Sequence, residues 1–291
     1  MIEPIGFRSN PETVDDNAFQ RPPGDDSPQA IENAARVEFA RLREALESRG
    51  VEVDWCPARD NREAPDAVFP NNWFSTHPGG KLILYPMRSP IRRLERRAEI
   101  VDALRERYPD VVDLTAHEAE GRFLEGTGSL VIDERGGIVY ASESPRTDRR
   151  LVDEWAQRLG LDPVIFRATD ARGRPIYHTN VVMSVGNEWA VVCVEAIDSL
   201  DRPEVLATIA ETGHETIDIS PEQMEAFCGN VLELENDRGE KLVVMSDRAF
   251  NAFTDEQRAV LGAHAEIVHA DLTTIETHGG GSARCMLAEL H

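Results

Sequence analysis

The feature that most restricts how this chain can fold is a repeat. From residue 66 onward the sequence runs four times through one series: strand, tight turn, strand, helix, strand. First strands are expected at 66–76, 128–133, 179–185 and 230–234. Turn signals follow each of them: Pro78-Gly79-Gly80, Arg135-Gly136-Gly137, Gly186-Asn187 and Asp237-Arg238-Gly239. They lead into second strands at 81–85, 138–142, 189–195 and 241–245. Apolar periodicity then predicts helices over 91–108, 148–159, 203–212 and 247–263, and closing strands at 111–114, 164–167, 216–219 and 266–269. The residues at the heads of the first strands, with the next one along, are Asn71, Glu125, His178, Asn230 and Cys285. They are spaced by 54, 53, 52 and 55 residues. A near-constant period of this length marks a radial or stacked array of modules rather than a doubly wound sheet.

Residues 282–290 open a fifth unit that the N-terminal segment can complete. Strands are expected at 2–7 and 51–55, around a helix at 28–49 that Ser27-Pro28 starts and Gly50 stops. The expected fold is therefore α/β: a single domain over residues 1–291, forming a five-bladed, pseudo-symmetric propeller of ββαβ modules. The two chain ends close its fifth module. Such closure leaves no open sheet edge.

A ring of this kind would bring the strand heads to its central axis. Cys285, His178 and Glu125, far apart in sequence, then meet at one site. Thiol, imidazole and carboxylate are the parts of a cysteine-nucleophile enzyme: a thiolate to attack, a histidine to shuttle protons and an acid to orient it or hold substrate. Cys285 follows the run Gly279-Gly280-Gly281 and stands beside Arg284, a setting that would expose and stabilise a thiolate. His278 is a rival base, close to Cys285 in sequence but out of phase with the repeat.

Composition excludes several other classes. The net charge is −22, and only Lys81 and Lys241 are lysines. Such an acidic chain is a poor fit to nucleic acid or to an anionic membrane surface. The four cysteines, Cys56, Cys193, Cys228 and Cys285, contain no CxxC pair, so no structural zinc is expected. The first ten residues carry no signal-peptide pattern, and no apolar run reaches transmembrane length. A soluble protein of the cytoplasm, a reducing compartment, is expected. Residues 10–27, rich in Pro, Asp and Gly, read as a loop that could cover the site.

Several segments spread over the whole chain carry a family resemblance. They are Asn10-Pro11-Glu12-Thr13, Pro65-Asp66-Ala67-Val68-Phe69-Pro70-Asn71-Asn72-Trp73-Phe74, Phe123-Leu124-Glu125-Gly126-Thr127-Gly128, Ser144-Pro145-Arg146-Thr147, His178-Thr179-Asn180 and Gly279-Gly280-Gly281-Ser282-Ala283-Arg284-Cys285-Met286. Together they resemble the amidinotransferase, or pentein, superfamily, and within it the citrulline utilization hydrolases, also called arginine-deiminase-related proteins. The resemblance implies hydrolysis at a guanidino or ureido carbon with no metal or organic cofactor. Cys285 would attack that carbon, and His178 would protonate the leaving amine and then activate water. Glu125 would hold substrate nitrogen or orient His178. Arg146 would grip the α-carboxylate of an amino-acid substrate, for which a planar fork is suited.

One departure bears on the substrate. Dimethylarginine-hydrolysing relatives carry Pro-Asp-x-x-Phe-x-Glu-Asp where this chain keeps Asp66 but has Asn71 and Asn72. A buried cation needs a paired charge, whereas an amide suits a neutral ureido group. The expected reaction is L-citrulline to ornithine, ammonia and carbon dioxide, with Asp66, Asn71, Asn72 and Arg146 as substrate-binding residues. Arginine deiminase, dimethylarginine hydrolase and amidinotransferase activities are the alternatives, and a non-catalytic five-bladed binding propeller is the alternative of another class. The oligomeric state is left open by the sequence.

Overall fold

A computed structural model describes residues 1–13, 17–21, 24, 26–56 and 63–291. Its strands form four three-stranded sheets, one for each predicted repeat. The first sheet contains β1 (Phe74–His77), β2 (Lys81–Leu84) and β3 (Asp110–Asp113). The second contains β4 (Val131–Asp133), β5 (Ile138–Ser142) and β6 (Asp162–Phe166). The third contains β7 (Met183–Val185), β8 (Trp189–Val192) and β9 (Glu215–Asp218). The fourth contains β10 (Leu232–Glu235), β11 (Lys241–Ser246) and β12 (Glu266–Ala270). In every sheet the first two strands pair antiparallel through a tight hairpin, and the second and third pair parallel across a helical crossover. A parallel pair requires such a crossover.

The crossover helices cover the sheets. Helix Arg149–Leu159 starts at the Asp148 cap, ends at Gly160 and buries Leu151, Val152, Trp155 and Ala156. These pack with Val139 and Ala141 of β5 and with Leu130. Each leucine and valine of this cluster contributes about 1.5–3 kcal/mol when fully buried. Two predicted helices are broken in the structure. The stretch 91–108 is divided into Pro90–Arg93 and Ala98–Arg107. The stretch 247–263 is divided into Asp247–Ala252 and Asp255–His264, because Thr254 and Gln257 form a capping box that restarts the helix.

The strand heads also differ from expectation. Where extended chain was expected, a single helical turn precedes the first strand: Pro70–Asn72, Gly126–Ser129, Thr179–Val182 and, before the C-terminal segment, Ala283–Met286. The turn 126–129 touches both 70–72 and 179–182, and 283–286 touches 70–72. The N-terminal segment supplies the expected helix, Pro28–Glu47. Residues 2–7 and 51–55 form no strand, however; a lone parallel bridge joins Ile2 to Cys56. No strand is formed by 282–290 either. The expected loop 10–27 lies partly outside the described residues. No helix among the described residues is long and apolar enough to cross a membrane.

Candidate active site

The helical turns at the strand heads place the predicted residues. Glu125 immediately precedes the turn Gly126–Ser129, and Ser129 Oγ accepts its N–H at 3.0 Å. His178 precedes the turn Thr179–Val182. Cys285 lies within Ala283–Met286, its N–H donating to Ser282 O at 3.0 Å. Gly128 explains how the first two turns fit together. A Cβ there would lie 2.7 Å from His178 Nδ1 and 2.4 Å from Asn72 Nδ2, so only glycine lets imidazole and amide sit against the turn.

His178 and Cys285 line one narrow cavity together with Asp66, Asn72, Arg92, Arg146 and Tyr177; Thr13, Asn17, Phe69 and Gly279–Gly281 complete its wall. Its free volume is about 10 Å³, about what one water needs. An amino acid therefore enters only if part of the wall moves. Glu125 stands behind this wall, fully buried. Its Oε2 accepts from His178 Nε2 at 2.9 Å, and its Oε1 accepts the Arg88 N–H at 3.0 Å. With Nε2–H committed to Glu125, His178 presents Nδ1 as the proton-accepting nitrogen.

Electrostatics supports that tautomer. Burial pushes His178 down to about 4, against the pull of Glu125 and with a further push from Arg146 and Arg92, so the ring is neutral at pH 7. Burial would raise Glu125, but Arg146, the His178 hydrogen bond and Arg92 outweigh it and hold the carboxyl well below the usual range. The nearest nitrogens of Arg146 and Arg92 lie 3.5 and 3.7 Å from Glu125 Oε2. The cavity thus contains a neutral base oriented by an ionised acid whose charge two guanidinium groups offset.

The expected substrate residues divide. Asp66 accepts from Asn10 Nδ2 at 2.8 Å through Oδ2, while Oδ1 has no partner among the described residues. Asn72 Oδ1 accepts from Arg92 at 2.9 Å, and its Nδ2 has no partner among them. Arg146 packs over the Tyr177 ring at 5.1 Å. Asn71 does not line the cavity; its Nδ2 donates to Thr127 Oγ1 at 3.3 Å. His278 also lies away from the cavity, paired with Ser9 Oγ at 3.3 Å. Arg284, expected beside the thiol, turns away to Leu287 O and Glu289.

Two groups of residues here were not assigned from sequence. Arg92, forked onto Glu95 at 2.7 and 3.0 Å, enters the cavity wall from an arginine-rich stretch. Asn180 and Asn230 contact the Cys285 sulfur. Among the described residues no cluster of His, Cys, Asp and Glu could hold a metal.

An α/β fold of repeated ββαβ units, with thiol, imidazole and buried acid gathered at the strand heads, defines a hydrolase of the amidinotransferase superfamily acting on carbon–nitrogen bonds. The family profile for N,N dimethylarginine dimethylhydrolase, eukaryotic, matches residues 3–291, and the chain belongs to that family. A search of curated sequences finds no match. Solved structures with the same fold include the N-terminal domain of ArgZ, in an Asn-to-Ser variant covalently bound to a reaction intermediate. It is 18% identical over 99% of this chain and 95% of that one, with a TM-score of 0.77; ArgZ is an arginine dihydrolase from Cyanobacteria. An AgrE mutant with L-arginine is 19% identical with a TM-score of 0.77, and this chain spans 98% of its own length but 39% of that protein. A dimethylarginine dimethylaminohydrolase bearing an S-methyl-L-thiocitrulline adduct is 16% identical over 98% and 96%, with a TM-score of 0.67.

Proposed function

We propose that the protein is a cysteine-dependent hydrolase of a ureido amino acid, L-citrulline, giving ornithine, ammonia and carbon dioxide. Cys285 Sγ attacks the ureido carbon, and the thiol proton passes through His178 Nδ1 to the leaving nitrogen, which departs as ammonia. Water then loses a proton to Nδ1 and attacks the thiocarbamate, freeing Cys285. The resulting carbamate breaks down to ornithine and carbon dioxide. Glu125 keeps the imidazole in the required tautomer, and Arg146 meets the α-carboxylate. Asp66 Oδ1 is available to an N–H of the substrate. The catalytic set would gather on the axis of a single five-module domain over residues 1–291, acting in the cytoplasm on a small-molecule substrate.

The observation that carries the citrulline reading is Asn72. Arg92 occupies its oxygen, so the amide offers the cavity N–H donors beside His178. Donors suit a ureido oxygen and repel a guanidinium, which has no acceptor. A second reading, hydrolysis of arginine or a methylated arginine, is favoured by Asp66, the one acid lining the cavity among the described residues. An arginine dihydrolase, the activity named for ArgZ, would combine the two by passing through a ureido stage.

The test is ammonia and ornithine release from L-citrulline, L-arginine and dimethylarginine, with Cys285→Ser as control. Release from citrulline, abolished by Cys285→Ser, is expected. Turnover of dimethylarginine alone would overturn the reading of Asn72, and turnover surviving in Cys285→Ser would overturn the mechanism.

A further inference from the structure

Of the five residues in repeat phase, Asn71 and Asn230 have no part in the mechanism above, and of these two only Asn230 contacts the Cys285 sulfur. It is fully buried. Its Nδ2 lies 3.3 Å from Cys285 Sγ and donates to Asn180 O at 3.0 Å. A carbonyl only accepts, so this second bond fixes which end of the Asn230 amide is nitrogen. Asn230 Oδ1 lies 3.6 Å from the same sulfur. One amide can therefore accept from the thiol and donate to the thiolate. Asn180 Nδ2 reaches Sγ as well, at 3.6 Å. Arg284, the cation adjacent in sequence, is directed elsewhere, so among the described residues the sulfur's side-chain polar contacts are these two amides.

The backbone around Asn230 is built to hold it there. Phe227 has φ 65, the only positive φ at a non-glycine position among the described residues, a conformation that is strained for a bulky side chain. Its carbonyl accepts the Asn230 N–H at 2.9 Å. A Cβ at Gly229 would meet Val181 O at 2.2 Å, so the turn carrying Asn230 presses directly on the turn carrying Asn180.

We propose that Asn230 is a catalytic residue: with Asn180 it forms a two-amide cradle that holds the Cys285 sulfur and stabilises it as the thiolate nucleophile. The donors are neutral and fixed in place before reaction, the arrangement that stabilises developing charge without reorganisation. This inference rests on Cys285 being the nucleophile.

The experiment is iodoacetamide alkylation of Cys285, followed by peptide mass across pH 5–10, in the parent chain, Asn230→Ala, Asn230→Asp and Asn180→Ala. Thermal melts establish which variants fold. Alkylation at pH 7 is expected to fall about tenfold in Asn230→Ala, and further in Asn230→Asp, which loses the donors and adds a negative charge. It should recover at high pH, so that the half-maximal rate moves upward by about one pH unit. With the substrate that releases ammonia, kcat should fall in parallel while KM changes less than about twofold. Asn180→Ala gives the same pattern, weaker, if Asn230→Ala does not fold. An unchanged alkylation profile in a folded variant overturns the cradle. Cys285 inert to alkylation in the parent chain at every pH overturns the nucleophile reading instead.

Discussion

Two cavities lie on either side of the head turns, one lined by Thr127 and Asn180 and the other by Asn72 and Cys285, and they hold similar side chains in opposite circumstances. The wide one, about 730 Å³, runs along β1, β4, β7 and β10 and is lined by Asp54, Arg107, Glu235 and Lys241 among others. Its Arg107–Asp54 pair has both side chains 55% exposed. The narrow one has about 10 Å³ free, and its Arg92–Glu95 pair is 3% and 0% exposed. The Arg107 and Asp54 charges in the wide lumen keep their water and are worth little as a pair. Charges in the narrow cavity have lost theirs, so each must be answered by a partner. The Cys–His–Glu set lies on the narrow side. Size therefore does not locate the chemistry in this molecule; burial of compensated charge does.

The largest effect that would test this contrast is at His178. His178→Gln is expected to lower kcat by about 10²–10⁴-fold, the range for losing a general acid–base group. The pH profile is the sharper check. Burial holds His178 at about 4, so its Nδ1 stays unprotonated, and able to accept a proton, down to about pH 5. The acid limb of kcat/KM should fall near pH 4. A limb at the ordinary histidine value of 6.5 would mean that water reaches the narrow cavity freely.

The next effect compares the cavities directly. Glu95→Ala leaves Arg92 buried without its forked partner and should cost about 3–5 kcal/mol in urea unfolding. Asp54→Ala, in the wide lumen, should cost less than about 1 kcal/mol. Equal losses would abolish the distinction.

What could be read beforehand follows the same division. The period from Asn71 to Cys285 is a property of chain length, and it located the hairpins, crossovers and strand heads. It could not show that four of the five heads are wound into helical turns. That winding depends on contacts such as Gly126 against the Asn71 carbonyl, made between modules about fifty residues apart. Nor could it separate Asn72 from Asn71. Adjacent residues on a helical turn point in different directions, and one amide meets Arg92 while its neighbour meets Thr127. Arg92 sits among Arg93, Arg96 and Arg97, and only burial distinguishes it from them. Asn230 was in phase, but the meaning of its position required the sulfur beside it. The break at Thr254 was legible, since the Thr-x-x-Gln signature stands in the sequence.

Glu276 provides the smallest and most conditional test, because it has the burial of the narrow side without a close counter-charge. It is 1% exposed and accepts from Ser282 Oγ at 2.6 Å, immediately before the turn that carries Cys285. Arg248 is 3.9 Å away and 44% exposed, and the Glu38 carboxylate opposes ionisation. Burial raises Glu276 to about 7 despite its hydrogen bond to Ser282. Between about pH 4.5 and 7 the folded chain keeps a proton that the unfolded chain has released, so this group lowers stability as pH rises through that window and leaves it lowered above. Glu276→Gln retains an acceptor for Ser282 and removes the titration. Relative to the parent, the variant should gain about 2 kcal/mol at pH 8 and about 0.5 kcal/mol or less at pH 5, read from urea midpoints. The same gain at both pH values would show that the effect comes from packing. No gain at pH 8 would show that Arg248 and Ser282 already compensate the charge, which would place Glu276 with the paired ions of the narrow cavity.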